Sequence, residues 1–371
     1  MSGGISNNYA LPPSSYGMLG ELTQGASAVQ TQLDTLAQQA SSGNVSQTYS
    51  GLGANAVTDL NLNAEIAQNN AYVSNITAAN NSIGITQTVM NQLSKIASGI
   101  SAQLDNITGT SISTLAEQAQ NDLQQVANLL NTQNGTNYIF AGQDASNPPV
   151  PDASTIVSSP FFTQIQAAVA GLATNGAAAT MTTALTVASS NVPGSAGGTS
   201  PFSAALSALS LSPSPSTSNF QASVEIGPGQ SVSAGLLASV NTYATSSGPY
   251  STGSYTRDLM NALAMVGSLT PNSATAAGFT GLISDIQTSL TGAIGAMANE
   301  EGGLGATQDT LTATSTTLGN VTTALQTQLS TVQDVNMSQT LSNLTMVQTQ
   351  LQASYKLIAS VQSLSLANYV Q

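Results

Sequence analysis

Apolar residues recur at alternating steps of three and four along both ends of this 371-residue chain. Near the start the row is Leu19, Leu22, Ala26, Val29, Leu33, Leu36 and Ala40. A period of about 3.5 residues keeps one apolar seam on one side of a helix, the pattern of helices that wind around a partner. Ser41-Ser42-Gly43 then ends the helix, glycine being the residue that most readily leaves helical geometry. A second helix carries Ile66, Val73, Ile76, Ile83 and Met90, with Asn69 and Asn80 on the same seam. Polar residues there fix register at some cost in stability. The row continues through Leu93, Ile96, Ile100, Leu104 and Ile107, and a third helix uses Ile112, Leu115, Ala119, Val126 and Leu130. Near the other end Leu304, Leu311, Leu318, Val321, Leu325 and Val332 share a seam interrupted by Thr307 and Thr314. A break at 333–336 precedes a final helix with Met337, Leu341, Leu344, Leu351, Ile358 and Val361. The middle helices read as ordinary bundle core. The two terminal stripes are narrow, which suits pairing with one partner helix better than burial in a globule.

Proline divides the chain. Ten of the 13 prolines lie between Ala145 and Tyr255, a segment with only two charged residues, Asp152 and Glu225. The expected fold is mainly α, a long coiled-coil-like bundle formed by both termini, with an inserted β-rich middle domain. The expected parts are an N-terminal helical flank at 1–144, the Pro-rich β insert at 145–255 and a C-terminal helical flank at 256–371. Inside the insert, Phe220, Ala222, Val224 and Ile226 alternate with polar residues, as do Val232, Ala234 and Leu236 after Gly227-Pro228-Gly229-Gln230. Pro228 presets its own φ and Gly229 supplies the positive φ of a tight turn, so this is a predicted hairpin. Ser210 to Ser218 reads as an exposed loop.

Composition narrows the chemistry. There is no cysteine, histidine or tryptophan, and the basic residues are Lys95, Arg257 and Lys356 against 16 acidic ones, a net charge of −13. Thiol nucleophiles, Ser/His triads, imidazole–metal sites and disulfides are excluded. Nucleic-acid binding needs clustered Lys and Arg, and none cluster. No cofactor or metal site is expected. Neighbours on a helix point about 100° apart, so the adjacent pair Glu300-Glu301 does not converge on one substrate and reads as a solvated helix end. Gly302-Gly303-Leu304-Gly305 lacks the preceding strand of a phosphate loop, and Asp334-Val335-Asn336 is too sparse for a calcium loop. Nothing supports an enzyme. No apolar run approaches the ~18 residues of a membrane span, so no membrane insertion is expected. The first 13 residues lack the features of a cleavable signal.

Two terminal stretches resemble bacterial flagellins and their hook-associated relatives. Leu36-Ala-Gln-Gln-Ala-Ser-Ser-Gly43 resembles the element in which a helix ends on Ser-Ser-Gly. The run from Asp334 through Asn336 and Leu351-Gln-Ala-Ser-Tyr355 to Leu364-Ser-Leu-Ala-Asn-Tyr-Val370 is similar to the family's closing pattern. Two further segments resemble the hook–filament junction family, the third hook-associated proteins. They are Asn131 to Gly142 with Pro148-Pro149, and Val224-Glu-Ile-Gly-Pro-Gly-Gln230. The resemblance covers roughly 18–150 and 220–371. Tyr49 to Asn55 departs from the family's usual stretch, and the family's core-helix arginines are absent.

The resemblance implies a structural subunit of the flagellum, outside the cell, exported through the flagellar type III channel by a disordered N-terminal segment. The implied partners are further copies of itself in a ring or tube, flagellin, another hook-associated protein and an export chaperone. It also implies terminal helices that order only on assembly, which suits the narrow seams, because isolated helices are marginal in water. The expected assembly interface is Leu19, Leu22, Val29, Leu33 and Leu36 with Leu341, Leu344, Leu351, Ile358 and Val361, their partners lying in neighbouring subunits. Flagellin itself is the alternative reading. An extracellular adhesin or glycan-binding module, using the Pro-rich segment, is a third.

Overall fold

A computed structural model describes residues 15–108, 111–211, 219–244 and 246–369 of the chain. They divide into two compact units, one from 1–68 and 320–371, the other from 69–319. In chain order the main elements begin with helices α1 (Ser15–Ser42), α2 (Ala56–Leu104) and α3 (Ile112–Leu130). The short hairpin of β1 (Gln133–Asn134) and β2 (Asn137–Tyr138) follows, then α4 (Pro160–Ala170) and α5 (Leu172–Ala188). A second hairpin, β3 (Ser223–Gly227) and β4 (Gln230–Ser233), precedes α6 (Tyr255–Gly267), α7 (Phe279–Gln333) and α8 (Met337–Tyr369). The molecule is mainly α, as expected, and its strands form two small antiparallel sheets.

In the 69–319 unit the predicted seams form the core. Ile76, Ile83, Met90, Leu93, Ile100 and Leu104 of α2 are buried, with Ile112, Leu115, Ala119, Val126 and Leu130 of α3. Every residue of α6 is buried, and it packs on α3, α4 and α5. Asn80 lies half-buried with its carbonyl oxygen unpartnered.

The insert departs from the expected strand content. The hairpin lies where predicted, pairing Val224 with Val232, and Gly229 has the positive φ of 66° that the turn requires. The stretch 160–188, however, is helical. Its one proline misleads because Pro160 sits in the first turn of α4, directly after the N-cap Ser159, whose hydroxyl accepts from Phe162 N. Proline is well placed there and starts a helix instead of breaking one. Phe161, Phe162, Ile165 and Val169 then fall on the buried face.

Two ionisable side chains tie loops to this core. Arg257 is 2% exposed. Its Nε donates to Ser239 O, and one terminal nitrogen donates to Ala188 O and Ser190 O, each at 2.8 Å. The guanidinium sits 5.0 Å from the Phe202 ring centroid. Placed on the last carbonyls of α5, a cation also opposes that helix dipole. Burial pushes the Arg257 pKa down to about 10.

The second is Glu300, which the sequence places at a solvated helix end. Instead it is 0% exposed, inside α7. The pair lies mid-helix, and α7 runs straight through the glycines that follow it. Glu300 Oε1 accepts the backbone N–H groups of Thr242, Tyr243 and Ala244 at 2.8–2.9 Å. The Tyr243 ring lies against Gly303, where an added Cβ would come 2.3 Å from Tyr243 Cγ. Tyr243 OH then meets Thr307 Oγ1 at 3.0 Å. Positions 300, 303 and 307 lie on one helix face, so a single stripe of α7 holds the 242–244 loop.

The segment Asn131 to Gly142 is a corner with its own fastenings. Asn131 Nδ2 donates to Val150 O at 2.7 Å, and Val150 N donates back to Asn131 Oδ1 at 2.9 Å. Phe140 is fully buried and its carbonyl accepts from Ala238 N. Gly142 has φ of 61°, and a Cβ there would meet Phe220 O at 2.3 Å. Only glycine fits.

Candidate assembly surface

The unit of 1–68 and 320–371 has a turn region and a helix pair. Where the sequence predicts breaks, the chain is stitched across: Val45 N donates to Gln333 O and Val335 N to Gly43 O at 2.9 Å, with a bridge between Asn44 and Asp334. Asp59, 2% exposed, accepts from Gln333 Nε2 and, through Oδ2 at 3.2 Å, from Asn63 Nδ2. Buried polar groups of this kind need such partners.

Helices α1 and α8 pack along one another. Leu19, Leu22, Val29, Leu33 and Leu36 are half-buried around the buried Ala26. On α8, Leu351 is 8% exposed and Leu344, Ile358 and Val361 are half-buried. Within the single chain α1 and α8 thus cover each other, and nine of the ten expected residues are buried or half-buried. The physical reason is that the two stripes share the heptad phase and can shield each other. Tyr355 OH reaches Gln30 Oε1 at 3.5 Å across the pair.

The tenth residue, Leu341, points away and is 48% exposed, while Thr340 takes the inward place. Stepping back four residues from Leu344 reaches Thr340, and stepping on three reaches the buried Val347. The spacing rule itself contains both, but the sequence reading puts Leu341 on the seam in place of Thr340 and passes over Val347. The same happens on α7, where Thr322 is buried and Val321 is 44% exposed.

Several large apolar residues of this unit are left exposed. Val57, Leu60, Leu341, Met346, Tyr355 and Leu357 are all more than 45% exposed, with Met346 at 61%. Val57 and Leu60 lie on α2 and the other four on α8; exposed apolar residues taken singly are ordinary. The one basic residue nearby is Lys356, and among the described residues no salt bridge forms. Among the described residues no helix is long and apolar enough to cross a membrane, and no acidic group of three or more could hold a metal ion.

Residues 288–370, the greater part of α7 and α8, match the family model of the bacterial flagellin C-terminal helical region. This end of the chain is similar to the flagellin C-terminal region. Among curated proteins none matches the chain. The match supports the flagellin and hook-associated superfamily. The matched stretch contains Leu344, Val347 and Leu351 together with the outward Leu341 and Met346.

Proposed function

We propose that the chain is the hook–filament junction subunit of a bacterial flagellum. The observation that carries this is the Asn131–Val150 corner, together with the flagellin region at the C-terminal end. The residues that resemble junction proteins more than flagellins, Asn131, Phe140 and Gly142, each have a structural task there. The α1–α8 pair is then the segment that lies within the tube, exported before assembly, with the outward apolar residues meeting adjacent copies, flagellin or a second hook-associated protein. The flagellin match itself favours flagellin as the second reading.

Replacing Leu344 and Leu351 together by Asp tests the proposal. Burying an unpaired carboxylate costs several kcal/mol, so the pair should open while the export segment stays intact. Cells carrying the variant are expected to bear bare hooks and release unpolymerised flagellin into the medium. Normal filaments would show that the seam is not needed for assembly. Cells without filaments that release no other flagellin would identify the chain as the filament subunit.

A further inference from the structure

Beside the β3–β4 hairpin lies a groove of about 490 Å³, within the range of small-ligand sites. Three distant stretches build it: one face of α2 from Asn75 to Thr86, the β1–β2 hairpin with the turn after it, and strand β3 with the end of β4. Its walls are fastened independently of any ligand. Asn134 Nδ2 donates to Ser82 Oγ at 2.8 Å, Tyr138 N donates to Ala145 O at 2.8 Å, and Ala234 N donates to Ala222 O at 2.8 Å. A groove held this way binds without a large ordering cost.

Several polar groups in it are unused by the fold. The exposed Asn137 amide, the exposed Glu225 carboxylate and the half-buried Tyr138 hydroxyl form no hydrogen bond within the described chain. Behind them the floor is the C–H surface of Ala79 and Ile83. None of the three basic residues lines the groove, so phosphates, sulfates and carboxylated ligands find no counter-charge and meet Glu225. The lining thus offers amide donors and acceptors, a carboxylate acceptor, one aromatic ring and a small apolar floor.

We propose that this groove binds a neutral saccharide. Adjacent hydroxyls of a sugar can each donate to a carboxylate or amide oxygen and accept from an amide N–H, and the ring's C–H face packs on an aromatic or aliphatic surface. A peptide adding to the edge of β3 fits less well. That strand has five residues and is irregular between Glu225 and Gly227, and the Glu225 carbonyl already accepts from Asn75 Nδ2 at 3.5 Å.

The test is a binding screen of the full chain against neutral, acidic and basic oligosaccharides and a random-peptide library. The hits are then titrated against Asn137→Ala, Tyr138→Phe and Glu225→Gln. Asn137 and Glu225 are exposed and unbonded, so these variants should keep the parent circular dichroism spectrum and thermal midpoint. A neutral saccharide should bind, about tenfold more weakly to Asn137→Ala, the loss expected for one or two hydrogen bonds. Sialylated or uronic saccharides should bind no better than neutral ones. The proposal is overturned if no neutral saccharide binds, if all three variants bind like the parent, or if only peptides compete for the groove.

Discussion

Glu300 shows what one buried carboxylate can fasten. Removing it in Glu300→Ala would leave three loop N–H groups without their acceptor, at about 1–3 kcal/mol for each one kept from water. The expected loss is at least about 3 kcal/mol by denaturant unfolding, and a loss under about 1 kcal/mol would show that water replaces the carboxylate. Gly303 gives a sharper test, because two effects oppose. Alanine is the better helix former by about 1 kcal/mol, yet its Cβ would collide with Tyr243. Gly303→Ala is therefore expected to destabilise the parent chain and to stabilise a Tyr243→Ala chain, a reversal of sign that a double-mutant cycle reads directly. None of this was legible in the sequence. The groups that Glu300 binds are backbone N–H groups 56–58 residues away, which leave no mark in side-chain letters. Arg257 was equally silent, since its acceptors are carbonyls.

At the scale of elements the heptad seams were the legible part. The rows on α2 and α3 became core, and the stripes on α1 and α8 found each other, because period and phase survive into packing. Legibility ended at Thr322 and Thr340, where an inward threonine stands beside an outward valine or leucine. The helical stretch 160–188 was missed for a different reason, a helix-starting proline read as a helix breaker. The α1–α8 pair is thinly covered: Ala26, Thr340, Val347 and Leu351 are its only buried residues in the described parts of the two helices. Few buried contacts mean low local stability. Hydrogen exchange on the monomer should therefore show α1 and α8 losing protection well before α3 and α6, and proteases should trim both ends first. Uniform protection across all four helices would contradict the thin-seam account.

For the whole molecule, the scarcity of cations sets the response to acid. Burial, first among the causes, raises the pKa of Asp122, Asp258, Glu300 and Glu301 above ordinary values of 3.8 and 4.5 for Asp and Glu. A carboxylate whose folded pKa is raised contributes stability that is complete below its unfolded pKa and is lost as pH rises through the folded one. Acidification from neutrality to about pH 5 should then hold or raise the thermal midpoint, and should also relieve part of the −13 net charge. Replacing Glu300 by Gln should flatten that dependence. A midpoint that falls steeply over this interval would show that carboxylates held ionised by the fold dominate.

The central claim is the proposed place in the flagellum, supported by the flagellin match over 288–370 and by the likeness of the Asn131–Val150 corner to junction proteins. Gold labelling of an epitope inserted in the exposed stretch near Val192, 44% exposed, tests it most directly in electron micrographs of whole flagella. The account predicts a single narrow band where the hook meets the filament. Label spread along the filament would contradict it.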